Sequence, residues 1–254
     1  MKVELAVALV SGAVALLAAG IAVWGNLKAG KNSAALQLKL SQQAADLERF
    51  KIAEQQRIES EKVTSRFREP LARTAYDLQS RLYNILNQNL IGVFLVNGSD
   101  REKNYVIDNT AFVIAQYFAW TEIIRREIQF IDLGSDDETR HLRHLQDDIY
   151  ALWQTDAYPP MFRIFAGEQR ALGETMVEDG PQGPECIGYG AFISKLPPGT
   201  DKLVDAVRAD VRALDNNLDQ ARPRLTAVQN ALIDLLKFLD PDYVRFPKVR
   251  RSKA

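Results

Sequence analysis

The chain is poor in the residues that build most recognisable sites. It holds one cysteine, Cys186, which excludes an intramolecular disulfide framework and a cysteine-based zinc knuckle. Two histidines, His141 and His144, exclude a histidine-rich metal store. The 32 Lys and Arg against 33 Asp and Glu leave a formal charge of −1. A nucleic-acid-coating protein carries a basic excess, so no nucleic-acid partner is expected. Proline is absent before Pro70 and again between Pro70 and Pro159, which permits long helices throughout that stretch. Neither a Gly-x-x-x-x-Gly-Lys phosphate loop, a Gly-x-Gly-x-x-Gly fingerprint nor a Gly-x-Ser-x-Gly elbow occurs. What is present, in 254 residues of which 46% are hydrophobic, is enough apolar side chain for one sizeable core.

That apolar content is unevenly spread. After a short leader (1–4), residues 5–24 read LAVALVSGAVALLAAGIAVW, without a charge or a proline. At about 1.5 Å per residue such a helix covers roughly 30 Å, the thickness of a hydrocarbon core. Trp24 falls where an interfacial aromatic belongs. A cleaved signal peptide is the competing reading, with Ala18-Ala19-Gly20 as its cleavage site. Its apolar region is shorter, about 7–15 residues, and follows a positive leader, whereas Lys2 is offset here by Glu4. The expectation is a single-pass anchor in the lipid bilayer of the cell membrane. Lys28, Lys31 and Lys39 follow the span, which places the C-terminal part in the cytoplasm. An unpaired Cys186 agrees with a reducing compartment.

The region 25–66 reads as a helical stalk. Leu36, Leu40, Leu47 and Phe50 fit alternating steps of four and three with Gln43 in the seam, but Glu54 and Arg57 then break it. A short coiled coil, and self-association through it, would use only that stretch. From 67 to 241 the pattern is that of an all-α domain, a bundle of five to seven helices. Leu71, Ala75, Leu78, Leu82 and Ile85 mark one helix at 69–90, with Pro70 in its first turn. A turn at Asn97-Gly98-Ser99-Asp100 precedes a long helix at about 101–132, whose Phe118 and Trp120 lie off the main apolar face. Ser135 and Glu138 make a capping box for a helix to about 154. Phe162, Phe165, Leu172 and Met176 form a further helical stripe. Residues 180–199 are rich in glycine and proline. Ile187, Tyr189, Ala191 and Ile193 alternate like a strand there, but no other segment offers a partner. A short helix through Cys186, Tyr189, Phe192 and Leu196 is therefore expected. Residues 201–239 are helical, with Pro223 kinking or splitting the run. The tail, 242–254, holds Arg245, Lys248, Arg250, Arg251 and Lys253. It is expected either to reach an anionic leaflet, at about 1 kcal/mol per basic residue, or to be a disordered terminus.

Candidate chemistry is sparse. Glu138, His141 and His144 resemble half of a di-iron helix motif, but no second Glu-x-x-His exists and a solvated face suits their neighbours Arg140 and Arg143. Cys186 lacks an evident positioned base. No cofactor is expected. Binding candidates are Glu168, Gln169 and Arg170, between Gly167 and Gly173, together with Arg81, Arg125 and Arg126, which lie near aromatics and suit an anion. An ordinary charged helix face competes with each.

Several stretches also resemble a family of uncharacterised membrane-anchored helical proteins of actinobacteria and other groups. They are 68–71 (REPL), 75–85 (AYDLQSRLYNI), 116–120 (QYFAW), 167–170 (GEQR) and 238–241 (FLDP). The resemblance implies the architecture alone, since none of these stretches is a catalytic signature. The resulting expectation is a membrane-anchored interaction, scaffold or sensor-type protein that binds a protein or lipid partner. The alternative is a membrane-surface enzyme, of which a metal-dependent one is one version.

Overall fold

The structure, a computed structural model, describes residues 20, 39–55, 58, 66–127, 136–181 and 183–254. The chain divides into two compact units, Met1–Ile58 and Glu59–Ala254. The expected span at 5–24 lies outside the described residues except for Gly20. Among those described, no helix is long and apolar enough to cross a membrane. In the first unit, residues 39–55 form a helix, α1, whose Leu40, Leu47 and Phe50 are exposed.

Among its described residues the second unit is helical apart from one hairpin. Helix α2 (66–87) buries Leu71, Ala75, Leu78, Leu82 and Ile85, the side chains that recur at helical spacing. It is already formed at 66, so Pro70 lies beyond the first turn expected for it. Asn89 ends this stretch in the left-handed region, φ 51°, which asparagine tolerates better than most residues. A π-helical turn, Ile91–Val96, follows, and then α3 (Asp100–Glu127). The capping box of α3 belongs to Ser99 and Glu102. The Ser99 backbone N–H donates to the Glu102 carboxylate (2.8 Å) and the Glu102 N–H to Ser99 Oγ (3.4 Å). Ser135 of the box expected from sequence lies outside the described residues, as does the end of the long helix beyond 127. Helix α3 is buried on more than one face, with Ile107, Ile114, Phe118 and Ile123 all in the core.

Helix α4 (Asp136–Gln154) presents Leu142, Ile149 and Trp153 to the core. Helix α5 (Ala166–Thr175) crosses α3 closely. A Cβ on Gly173 would stand 2.6 Å from the Phe118 carbonyl oxygen, so only glycine fits. The expected helical stripe is cut here: Phe162 and Phe165 precede α5, and Phe165 is exposed. Strands β1 (Val177–Gly180) and β2 (Gly183–Cys186) then pair antiparallel, Val177 opposite Cys186. Cys186 is thus the end of a strand whose partner is the polar run Val-Glu-Asp-Gly, and the helix expected through it, α6 (Tyr189–Lys195), starts later.

The backbone of the unit is α7 (Lys202–Leu239), 38 residues capped by Asp201 and lined inward by Val204, Val211, Leu225, Leu232 and Leu236. Its non-helical residue is Asn217, φ −130° and ψ 22°, six positions before Pro223. The break precedes the proline whose missing N–H and ring are hard to fit inside a continuous helix. Beyond α7 the tail is folded. Phe246 and Arg251 are buried. The Asp240 carboxylate accepts the backbone N–H groups of Val244 (3.0 Å) and Phe246 (3.1 Å) and the Arg251 guanidinium. Two fully buried glutamines hold the tail's main chain: Gln79 donates to the Arg250 carbonyl (3.1 Å) and Gln229 to that of Ser252 (2.9 Å). Arg245 pairs with Glu69 and Lys253 with Asp234, so most of the positive charge expected to be free for a leaflet is already engaged.

Candidate cleft lined by three arginines

Helices α3, α4 and α5 enclose a cleft of about 370 Å³. Thr121, Ile124 and Arg125 come from α3, and Arg170 from α5. Helix α4 supplies Thr139, Leu142, Arg143, Gln146, Asp147 and Tyr150. The α4 set lies at steps of three and four, one stripe of that helix turned toward the cleft.

The three arginines differ in how far they are satisfied. Arg125 is committed to Glu122, a carboxylate on a side chain only 2% exposed, through Nε (2.8 Å) and Nη2 (2.7 Å). Behind it, Arg126 donates to the same carboxylate (2.6 Å) and to Glu174 (2.8 Å). Burial works to raise the Glu122 carboxyl, but the hydrogen bonds from both arginines prevail and hold it below the usual range. Arg170 reaches the Tyr150 hydroxyl, which in turn donates to the Ala166 carbonyl (3.3 Å). Burial pushes that phenol up, an effect Arg170 opposes. Among the described residues, neither Arg143 nor Arg170 is in an ion pair with an acid. Two of the cleft's three guanidinium groups therefore pair with no carboxylate among the described residues, an arrangement that suits a planar, multiply accepting anion.

The candidates named from sequence separate into distinct roles. Arg125 and Arg170 line the cleft, and Arg126 stands behind it on Glu122. Glu168 accepts the Phe165 backbone N–H (2.8 Å) and so caps α5. Gln169 is fully buried and donates to the Tyr150 (3.0 Å) and Ile164 (2.8 Å) carbonyls. Arg81 does not join them: it bonds Asn109 and lies over the Tyr105 ring, 5.5 Å from its centroid. Arg143 and Tyr150 are not among the candidates that residue type suggests. The signal that could find them is the spacing 139, 143, 146 and 150 on one helix face.

The other chemical candidates fare differently. His141 and His144 are both exposed. The His141 ring meets Phe238 edge-on (5.0 Å) and His144 Nδ1 lies 3.3 Å from the Asp148 carboxylate. Among the described residues, no three or more His, Cys, Asp or Glu gather as metal ligands. Burial pushes the Cys186 thiol up to about 12, the opposite of an activated nucleophile. A second cleft, of about 540 Å³, lies where α2 and the π-helical turn meet the tail at Val249, Arg250 and Ser252.

Comparison with known proteins returned no matching family model, no matching curated protein and no matching solved structure.

Proposed function

We propose that this chain is a membrane-anchored helical interaction protein whose α3–α4–α5 cleft binds an anionic, phosphate-bearing partner on the cytosolic side. The single observation that carries the reading is the pair Arg143 and Arg170, which line one cleft and, among the described residues, form no ion pair with an acid. Guanidinium groups in such a setting recover full hydrogen bonding when a phosphate arrives. Residues 5–24 supply the tether in this reading and residues 25–66 the stalk, with self-association through the stalk a further use of its exposed apolar side chains. The exposure of His141 and His144 gives no support to the metal-dependent version of the enzyme alternative.

The test is titration of the full chain, in detergent, with inorganic phosphate and with chloride at matched ionic strength. Phosphate raises the Tm and chloride does not. Arg143→Gln with Arg170→Gln abolishes the phosphate response. An equal response to chloride, or one that survives the double substitution, rejects the cleft as the site.

A further inference from the structure

Among the described residues that line the cleft there is one carboxylate, Asp147, one helical turn from Arg143 on α4. The two are placed for an i,i+4 pair, yet Asp147 takes part in no ion pair or hydrogen bond among the described residues. A cleft suited to a bare phosphate gains nothing from such a group, since an anion beside it is repelled. A carboxylate is instead a strong acceptor for hydroxyls. Gln146 flanks it with an amide that both donates and accepts. Ile124 and Leu142 supply apolar surface in the same cleft, suited to the C–H face of a carbon ring or chain. The volume of about 370 Å³ is also more than a phosphate needs and falls in the range of small-molecule sites, about 300–1,000 Å³.

We infer that the ligand of this cleft is a phosphorylated polyol, its phosphate held by Arg143 and Arg170 and its hydroxyls by Asp147 and Gln146. The inference rests on the anion-binding reading above and narrows it. Such chemistry occurs both in free sugar or inositol phosphates and in the headgroup of a phosphoinositol lipid. Arg143, Asp147 and Arg170 are exposed, so their exchange leaves the core intact.

The experiment is calorimetric titration of the full chain in detergent with inositol monophosphate, glycerol phosphate, inorganic phosphate and unphosphorylated inositol. Inositol monophosphate is expected to bind about tenfold more tightly than inorganic phosphate, the value of one added charge-assisted hydrogen bond. Asp147→Asn removes that advantage and leaves phosphate binding intact or stronger. Arg143→Gln with Arg170→Gln removes both. If phosphate binds and Asp147→Asn leaves the preference unchanged, the polyol inference fails while the anion reading stands. If neither phosphate nor its esters bind, the anion reading fails and takes this one with it. Titration of the full chain in detergent micelles with and without phosphatidylinositol then separates the sources: heat of binding from the doped micelles that Arg143→Gln with Arg170→Gln removes assigns the lipid headgroup, and binding of the free ester alone assigns a soluble ligand.

Discussion

The interior of this protein and its cleft use the same side chain in opposite ways. Around α7 and the tail, Arg208, Arg224 and Arg251 are buried and partnered. Arg224 donates to five main-chain carbonyls, those of Leu152 (2.6 Å), Trp153 (2.9 Å), Thr155 (2.9 Å), Pro159 (3.2 Å) and Met161 (3.2 Å). It thereby satisfies the orphan C-terminal carbonyls of α4 and ties down the loop that follows. Arg208 is shared between Asp108 (2.8 Å), Asp205 (3.1 Å) and the Leu196 carbonyl (2.7 Å). Arg251 serves Asp240 and three carbonyls, with the Tyr243 ring 4.6 Å from its guanidinium carbon. In the cleft the guanidiniums are exposed, and among the described residues two of them, Arg143 and Arg170, form no ion pair. A charge that the fold has satisfied is structure, and one the fold leaves open is a site for something else.

That contrast can be broken most severely at Arg224. Arg224→Met removes a donor from five carbonyls, of which only that of Trp153 is seen to keep another, the Ile164 N–H (3.0 Å), and a loss of at least about 3 kcal/mol is expected in chemical denaturation. A smaller loss would mean that water replaces the guanidinium. Arg251→Ala follows, at about 3 kcal/mol, because it strands the buried Asp240 carboxylate. Its pH signature is the sharper measurement. Burial works to raise the Asp240 carboxyl, but the Phe246 N–H and the Arg251 guanidinium prevail and lower it below the ordinary value of 3.8. A lowered native value means that the stabilisation is present above the unfolded pKa and is lost as pH falls through the native one. Acid titration of the variant's stability is therefore expected to be flatter below about pH 4 than that of the parent. Next comes Gly173→Ala, which drives a methyl into the Phe118 carbonyl oxygen and is expected to cost about 1–3 kcal/mol, read as a drop in Tm. Least of all for stability is Arg143→Gln with Arg170→Gln, expected within about 0.5 kcal/mol of the parent while the phosphate response disappears. A large destabilisation there would place those arginines with the structural set.

Helices with one clean apolar stripe are legible in the amino-acid order alone. Leu71, Ala75, Leu78, Leu82 and Ile85 all fall on the buried face of α2, and Phe118, off the main line of α3, signals that helix's second buried face. The hairpin is hidden because Val177–Gly180 is polar and short, and its pairing comes from the returning chain rather than from any alternation. The tail deceives for a similar reason. Its basic residues look like a solvated terminus until Asp240, Glu69 and Asp234, distant in sequence or reversed by a turn, neutralise them. Of the cleft, Arg125 and Arg170 can be named by residue type. Arg81, identical in type, goes elsewhere, and Arg143 has the sequence surroundings of a solvated face.

The amino-acid sequence by itself determined the class of fold, because helical periodicity and the scarcity of proline act over neighbouring residues. It also determined what the chain lacks, the cysteines, histidines and glycine loops of familiar sites. Which arginines are engaged and which are open was decided only by the tertiary structure. A guanidinium's partners are carbonyls and carboxylates brought in from other helices, and nothing local records whether they arrive.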